Sequence, residues 1–119
     1  QEMHKIIYTK RAKVELQNLY NYIYFNLANP LAAKKFKNNI IKSISNLKYF
    51  PYIGKKLFNS NFRYLIFKNY LIFYSVSNQN VEIQRIVHKS QNLKIWLINK
   101  FKYTKTKKYA ILLTENKIT

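Results

Sequence analysis

The residues able to do chemistry in this chain are few. Most lie in one stretch from Asn61 to Leu97, NFRYLIFKNYLIFYSVSNQNVEIQRIVHKSQNLKIWL. Arg63 and Arg85 are two of only three arginines, and His88 is one of two histidines. By simple alternation Val81, Ile83, Arg85 and Val87 share one face of a strand. An arginine among apolar neighbours needs an anion or a carboxylate, or a bulge that turns it outward. His88, at the end of that strand, is a candidate acid or base, although a histidine there is also commonly a hydrogen-bonded structural residue. Lys89, Gln91, Lys94 and Trp96 follow. Trp96 is the only tryptophan: exposed, it is a binding anchor with large area and low entropy cost; packed, it is core.

Composition narrows the partners. The chain has 119 residues, enough for one domain with its own core. Hydrophobic residues make up 48%, which argues against wholesale disorder. Lys and Arg number 22 against 4 acidic residues, a net charge of +18. Part of that excess follows from a Lys-, Asn- and Ile-rich composition typical of AT-rich genomes, yet the charge still attracts polyanions. An anionic partner is expected: nucleic acid, an anionic surface or an acidic protein. There is no cysteine, so disulfides and thiolate metal sites are excluded and a reducing cytoplasm fits. Two His and four Glu, widely scattered, leave no expected metal site and no cofactor. No apolar run approaches the roughly 20 residues that span a bilayer. Met3 reads as the natural start, with no signal peptide.

The elements that must position these residues follow from periodicity. Lys5 to Tyr8 is a short strand. Thr9 is an N-cap for a helix whose stripe is Ala12, Leu16, Leu19, Tyr20, Ile23 and Leu27. Asn29-Pro30 starts a second helix with the stripe Ala33, Phe36, Ile40, Ile44 and Leu47. Lys34, Lys35, Lys37 and Lys42 fall mostly off that stripe, on a solvated face. Pro51 and Gly54, the only glycine, end the helical hairpin. Strands are expected over 62–67, 70–76 and 81–87. Lys68-Asn69 is the first hairpin turn, with Asn69 expected to carry the positive φ, and Asn78-Gln79-Asn80 is the second. The strand Tyr70-Leu-Ile-Phe-Tyr74 is apolar on both faces and therefore central. The fold class is α+β: a helical hairpin packed on an antiparallel sheet of about four strands, in the order β-α-α-β-β-β.

This order of elements resembles the RelE/ParE superfamily of bacterial toxins over about residues 5 to 97. The carriers of the resemblance are the Phe50-Pro51-x-x-Gly54 corner, the Tyr70 to Tyr74 strand, and Arg85-Ile-Val-His88-Lys-Ser90-Gln91. They are most similar to the ParE-like branch. The resemblance implies a toxin domain over 3–97 and leaves 98–119 as a basic extension. In that extension Lys100, Lys102, Lys105, Lys107 and Lys108 precede the apolar run Tyr109 to Leu113.

The resemblance implies two modes of action. Ribonuclease members cut mRNA on the ribosome with a cluster of basic residues and an acid–base pair, because in-line attack builds charge on phosphate. Here most matching positions differ: Leu65, Leu71 and Ser90 stand where basic residues are needed, and Trp96 at best replaces a tyrosine. The residual candidates for that chemistry are Arg63, Arg85 and His88. ParE-like members instead inhibit DNA gyrase by binding. The candidate target- or antitoxin-binding residues are then Arg63, Tyr70, Arg85, His88, Lys89, Gln91, Lys94 and Trp96. Both modes imply an acidic antitoxin partner, with no small-molecule ligand and no membrane. A third reading is a non-toxic basic nucleic-acid-binding domain, since seven aromatic residues between Phe62 and Trp96 could stack bases.

Overall fold

The computed structural model describes residues 3–57 and 60–90. The described residues up to His88 form one compact unit. It holds β1 (Lys5–Tyr8), α1 (Lys10–Asn21) running into a π-helical turn (Tyr22–Asn26), α2 (Pro30–Ser45) with a 3-10 turn (Asn46–Lys48), β2 (Lys55–Lys56), β3 (Phe62–Phe67), β4 (Tyr70–Val76) and β5 (Asn80–His88).

Both helices begin where their caps lie. The Thr9 hydroxyl accepts the Ala12 N–H at 3.1 Å. Asn29 Oδ1 accepts the Ala32 N–H at 3.1 Å, ahead of Pro30 in the first turn. Along α2, Ala33, Phe36, Ile40 and Ile44 are buried, and Leu47 continues the stripe. Along α1 the α-helical stripe stops earlier than periodicity suggests. The Leu27 N–H donates to the Tyr22 carbonyl at 3.1 Å, an i→i+5 bond that widens the last turn. Ile23 still packs on the core, but Leu27 ends up exposed. The widened turn moves Leu27 off the buried face.

The sheet has five strands in the order β1-β5-β4-β3-β2. The expected hairpins β3–β4 and β4–β5 are antiparallel, but β1 runs parallel to β5, so the sheet is mixed. Alternation of side chains carries no strand direction, so periodicity could not reveal this. The extra strand β2 has only two residues and pairs with Arg63 and Tyr64. The turn at Lys68-Asn69 differs in one respect: Lys68 takes the positive φ, at 52°, not Asn69.

Ile72 and Tyr74 of β4, with Val81, Ile83 and Ile86 of β5, meet Ala12, Leu16, Phe36, Ile40, Ile44 and Leu47 in one core. On the opposite face of the sheet Tyr64 and Phe73 stand 5.9 Å apart between ring centroids, and Leu71 and Val87 are paired neighbours. All four are buried, so the central strand is buried on both faces.

The corner after α2 is locked by two side chains. Gly54 donates its N–H to the Tyr74 hydroxyl at 2.8 Å. Arg63 Nη1 donates to the Tyr52 and Gly54 carbonyls at 3.1 and 2.9 Å, and its guanidinium lies 5.0 Å from the centre of the Tyr52 ring. A Cβ at Gly54 would stand 2.5 Å from the Tyr74 oxygen and 2.7 Å from the Tyr64 carbonyl. The backbone passes too close to the sheet for any side chain. Gly54→Ala should therefore cost about 1–3 kcal/mol through overpacking, read from urea unfolding midpoints.

The Tyr74 hydroxyl also responds to pH. Burial pushes its pKa above the ordinary tyrosine value, against the smaller lowering effects of the Gly54 N–H and the Arg63 charge. The folded state thus favours the neutral phenol. Its stabilising share is intact below about pH 10 and is lost as pH rises past that value. Melting curves through that range should fall less steeply for Tyr74→Phe than for the parent; parallel curves would refute the assignment.

Candidate functional site

β1 pairs with β5 only as far as Ile83. Past that point the outer edge of β5 would carry unpaired backbone groups, a costly arrangement if left dry. α1 supplies the missing partners. The Thr9 N–H donates to the Ile83 carbonyl at 3.0 Å, and the Thr9 hydroxyl donates to the Gln84 carbonyl at 3.1 Å. Further along, Glu15 Oε1 accepts the Ile86 N–H at 2.9 Å.

The same carboxylate receives Arg85. Phe73 opposes Arg85 while Tyr74 opposes Ile83, so Gln84 is an extra residue and β5 bulges there. The bulge breaks simple alternation. Arg85 Nε and Nη2 both donate to Glu15 Oε2, at 2.9 and 2.7 Å. The two side chains are only 10% and 17% exposed, so this pair is largely out of water. Arg85 thus meets a carboxylate of its own chain. Glu15 has the clearer signal in hindsight: it is one of four acids and sits beside the apolar stripe residues Ala12 and Leu16.

Arg63 is half-buried at the other side of the sheet, held by the Tyr52 and Gly54 carbonyls. His88 pairs with Tyr70 across β4 and β5, ring edge to face with centroids 5.2 Å apart. Tyr70 in turn meets Phe36 at 5.4 Å, and Phe36 meets Phe67 at 5.6 Å. Burial, and secondarily the nearby Tyr22, raise the Tyr70 pKa. Exposed Lys68 lies 5.9 Å from the Phe67 ring centre. This end of the sheet is therefore an aromatic cluster carrying cationic charge, suited to anionic or planar groups. Lys89 is exposed. Gln91, Lys94 and Trp96 lie outside the described residues.

The three candidates for ribonuclease chemistry do not converge. Arg63 opposes Tyr74, whereas His88 opposes Tyr70, four residues along the same strand. At 3.3 Å per residue that is about 13 Å, before adding two strand spacings across the sheet. Arg85 is engaged at the β5 edge by α1. Leu71, at a position where ribonuclease members need a cation, is buried.

The family model described as ParE toxin of type II toxin–antitoxin system, parDE, matches residues 6–93. The chain belongs to the ParE toxin family. A solved structure of a chromosomal ParDE TA system from P. aeruginosa shares the fold. It is 21% identical, with a TM-score of 0.64 over 74% of this chain and 98% of that one. No protein of curated function matches the chain in sequence. Within the ParE family frame, the matched segment takes in every element from β1 to β5 and the aromatic end of the sheet. Among the described residues no helix is long and apolar enough to cross a membrane.

Glu15 is the group on which the β5 edge depends. Glu15→Ala takes the carboxylate from a buried guanidinium and an acceptor from the Ile86 N–H. A loss of about 3–5 kcal/mol is expected, as for breaking other buried ion pairs from one side. Chemical denaturation would measure it, and a loss under about 1 kcal/mol, the range of exposed pairs, would refute the role.

Proposed function

We propose that this ParE family member is the toxin of a type II toxin–antitoxin pair and acts by binding rather than by catalysis. DNA gyrase is the target and an acidic antitoxin the partner. The observation that carries the reading is the dispersal of Arg63, Arg85 and His88, two of them committed to holding backbone or an internal carboxylate. A phosphoryl-transfer site needs charge and an acid–base group within a few ångströms of one phosphate. A binding surface needs only complementary shape and charge, and a net charge of +18 supplies the latter for an acidic antitoxin.

Two assays separate this reading from its rival. Purified chain should inhibit supercoiling by gyrase and accumulate cleaved DNA, with no cleavage of mRNA on translating ribosomes. His88→Ala should keep toxicity within about tenfold, well short of the 10²–10⁴-fold usual for a lost acid or base. Folded His88→Ala protein without toxicity, together with ribosome-dependent mRNA cleavage by the parent, would install the ribonuclease reading.

The extension 98–119 is assigned to nonspecific contact with polyanions. Five lysines in nine residues, Lys100 to Lys108, would release counterions on binding. Truncation after Asn99 should lower retention on DNA at low salt and leave stability within about 1 kcal/mol. A truncated chain that fails to fold would place those residues in the domain.

A further inference from the structure

Tyr64, Phe73 and Tyr74 of the strands are buried, so their rings serve the core and not a planar ligand. The exposed rings lie elsewhere. In the corner after α2, Tyr49, Phe50 and Tyr52 are 58, 63 and 61% exposed. The Arg63 guanidinium backs one face of the Tyr52 ring, 5.0 Å from its centre. The exposure of Tyr52 leaves the other face to solvent.

Tyr52 is one wall of a groove of about 730 Å³ at the end of the sheet where β5 begins, the end away from His88. Asn61, Ser77, Asn78, Gln79 and Asn80 supply its polar lining, most of them from the turn between β4 and β5. The volume is that of a small-ligand site, with room for a nucleotide-sized group. Among the described residues nothing bonds to the side-chain amides of Asn61, Asn78, Gln79 and Asn80. Each of those amides offers both an acceptor oxygen and a donor NH2.

Cations flank the groove. Lys5 pairs with Asn80 on the β1 side, and Lys56 pairs with Arg63 on the β2 side. Both lysines are exposed, and no acidic residue lines the groove. An open ring face, amides that donate and accept, and a cation beyond each wall match one ligand: a planar base with phosphate before and after it. An acidic peptide would use the lysines and leave the ring and the amide oxygens without counterparts. A neutral sugar would leave the lysines without one.

We propose that this groove binds single-stranded nucleic acid through an unpaired base. The base stacks on the free face of Tyr52, and its edge pairs with the amides of the β4–β5 turn. The neighbouring phosphates lie toward Lys5 and Lys56. In a duplex the bases are already stacked and paired, so duplex DNA does not enter. The site is separate from the contact with gyrase and does not depend on it.

The test uses the full chain with three labelled probes: single-stranded DNA of about 12 nucleotides, RNA of the same sequence, and the matching DNA duplex. At about 150 mM salt, where purely electrostatic binding is weakened, at least one single strand should bind about tenfold more tightly than the duplex. The tighter of the DNA and RNA arms names the natural strand, and either supports the site. The side-chain NH2 resonances of Asn61, Asn78, Gln79 and Asn80 should shift with that strand and not with polyglutamate. Tyr52→Ala, and Asn78→Ala combined with Gln79→Ala, should each weaken single-strand binding about tenfold, the loss expected for one base contact, and leave duplex binding unchanged. Equal affinity for strand and duplex, undiminished affinity in both variants, or shifts confined to residues 98–119 would overturn the site. Equal shifts with polyglutamate would assign the groove to an acidic protein and overturn base recognition. The resonance measurement needs no variant, so a variant that misfolds does not spare the proposal.

Discussion

One carboxylate sets the geometry of the central sheet. β1 is only four residues long, and β5 is nine. Half of β5 would therefore present a bare edge. Glu15 closes that edge from α1 by accepting one backbone N–H and two guanidinium N–H groups. The bulge at Gln84 takes Arg85 off the helix-side face that alternation with Ile83 would give it and sets it opposite Phe73, from where its guanidinium meets Glu15 at the β5 edge. It also fixes α1 against β5, with Thr9 as the second tether. A buried ion pair contributes little net stability over an apolar pair, but breaking it is costly, so it specifies register more than it stabilises.

The opposite edge is held by different chemistry. β2 pairs over only two residues, too few to fix the loop that leads out of the helical hairpin. Arg63 and Tyr74 substitute for a longer ladder by binding the Tyr52 and Gly54 backbone. Arg63 thus ties the corner before β2 to the sheet, as Arg85 ties α1 to the β5 edge. Two of the three arginines are committed to the fold, and apart from exposed Arg11 the exposed basic charge of the described fold is carried by lysines. Lysine is a strongly hydrated point charge on a flexible stem, suited to attraction of polyanions without the fixed fork of a guanidinium.

Much of the fold could be read from the chain. The caps Thr9 and Asn29, the stripe of α2 and the three-strand meander depend on local chemistry and periodicity, which a sequence displays directly. Strand direction at β1, the two-residue β2 and the widened turn at Tyr22–Asn26 depend on how distant segments meet, and periodicity does not encode that. The site was less legible. Arg85 announced that it needed a carboxylate or a bulge, and it has both. Its partner is 70 residues away, so spacing could not name Glu15. Arg63 reads in the sequence as a candidate for phosphate or partner contact, because the carbonyls it binds carry no side-chain signature.

The fate of the acids shows how little of the basic charge is answered within the described fold. Four glutamates face 22 basic residues. Glu15 is consumed by Arg85 and the Ile86 amide. Glu82 is bonded to Gln84, 2.7 Å away. The carboxylates of the described fold thus answer internal needs, while Lys34, Lys35, Lys42, Lys55, Lys56 and Lys68 are exposed. Like charges at such density repel one another and weaken the compact state. An acidic ligand that binds only the folded chain relieves that repulsion and stabilises it by mass action. Neutralisation of charge and stabilisation of the fold would then come from the same contact.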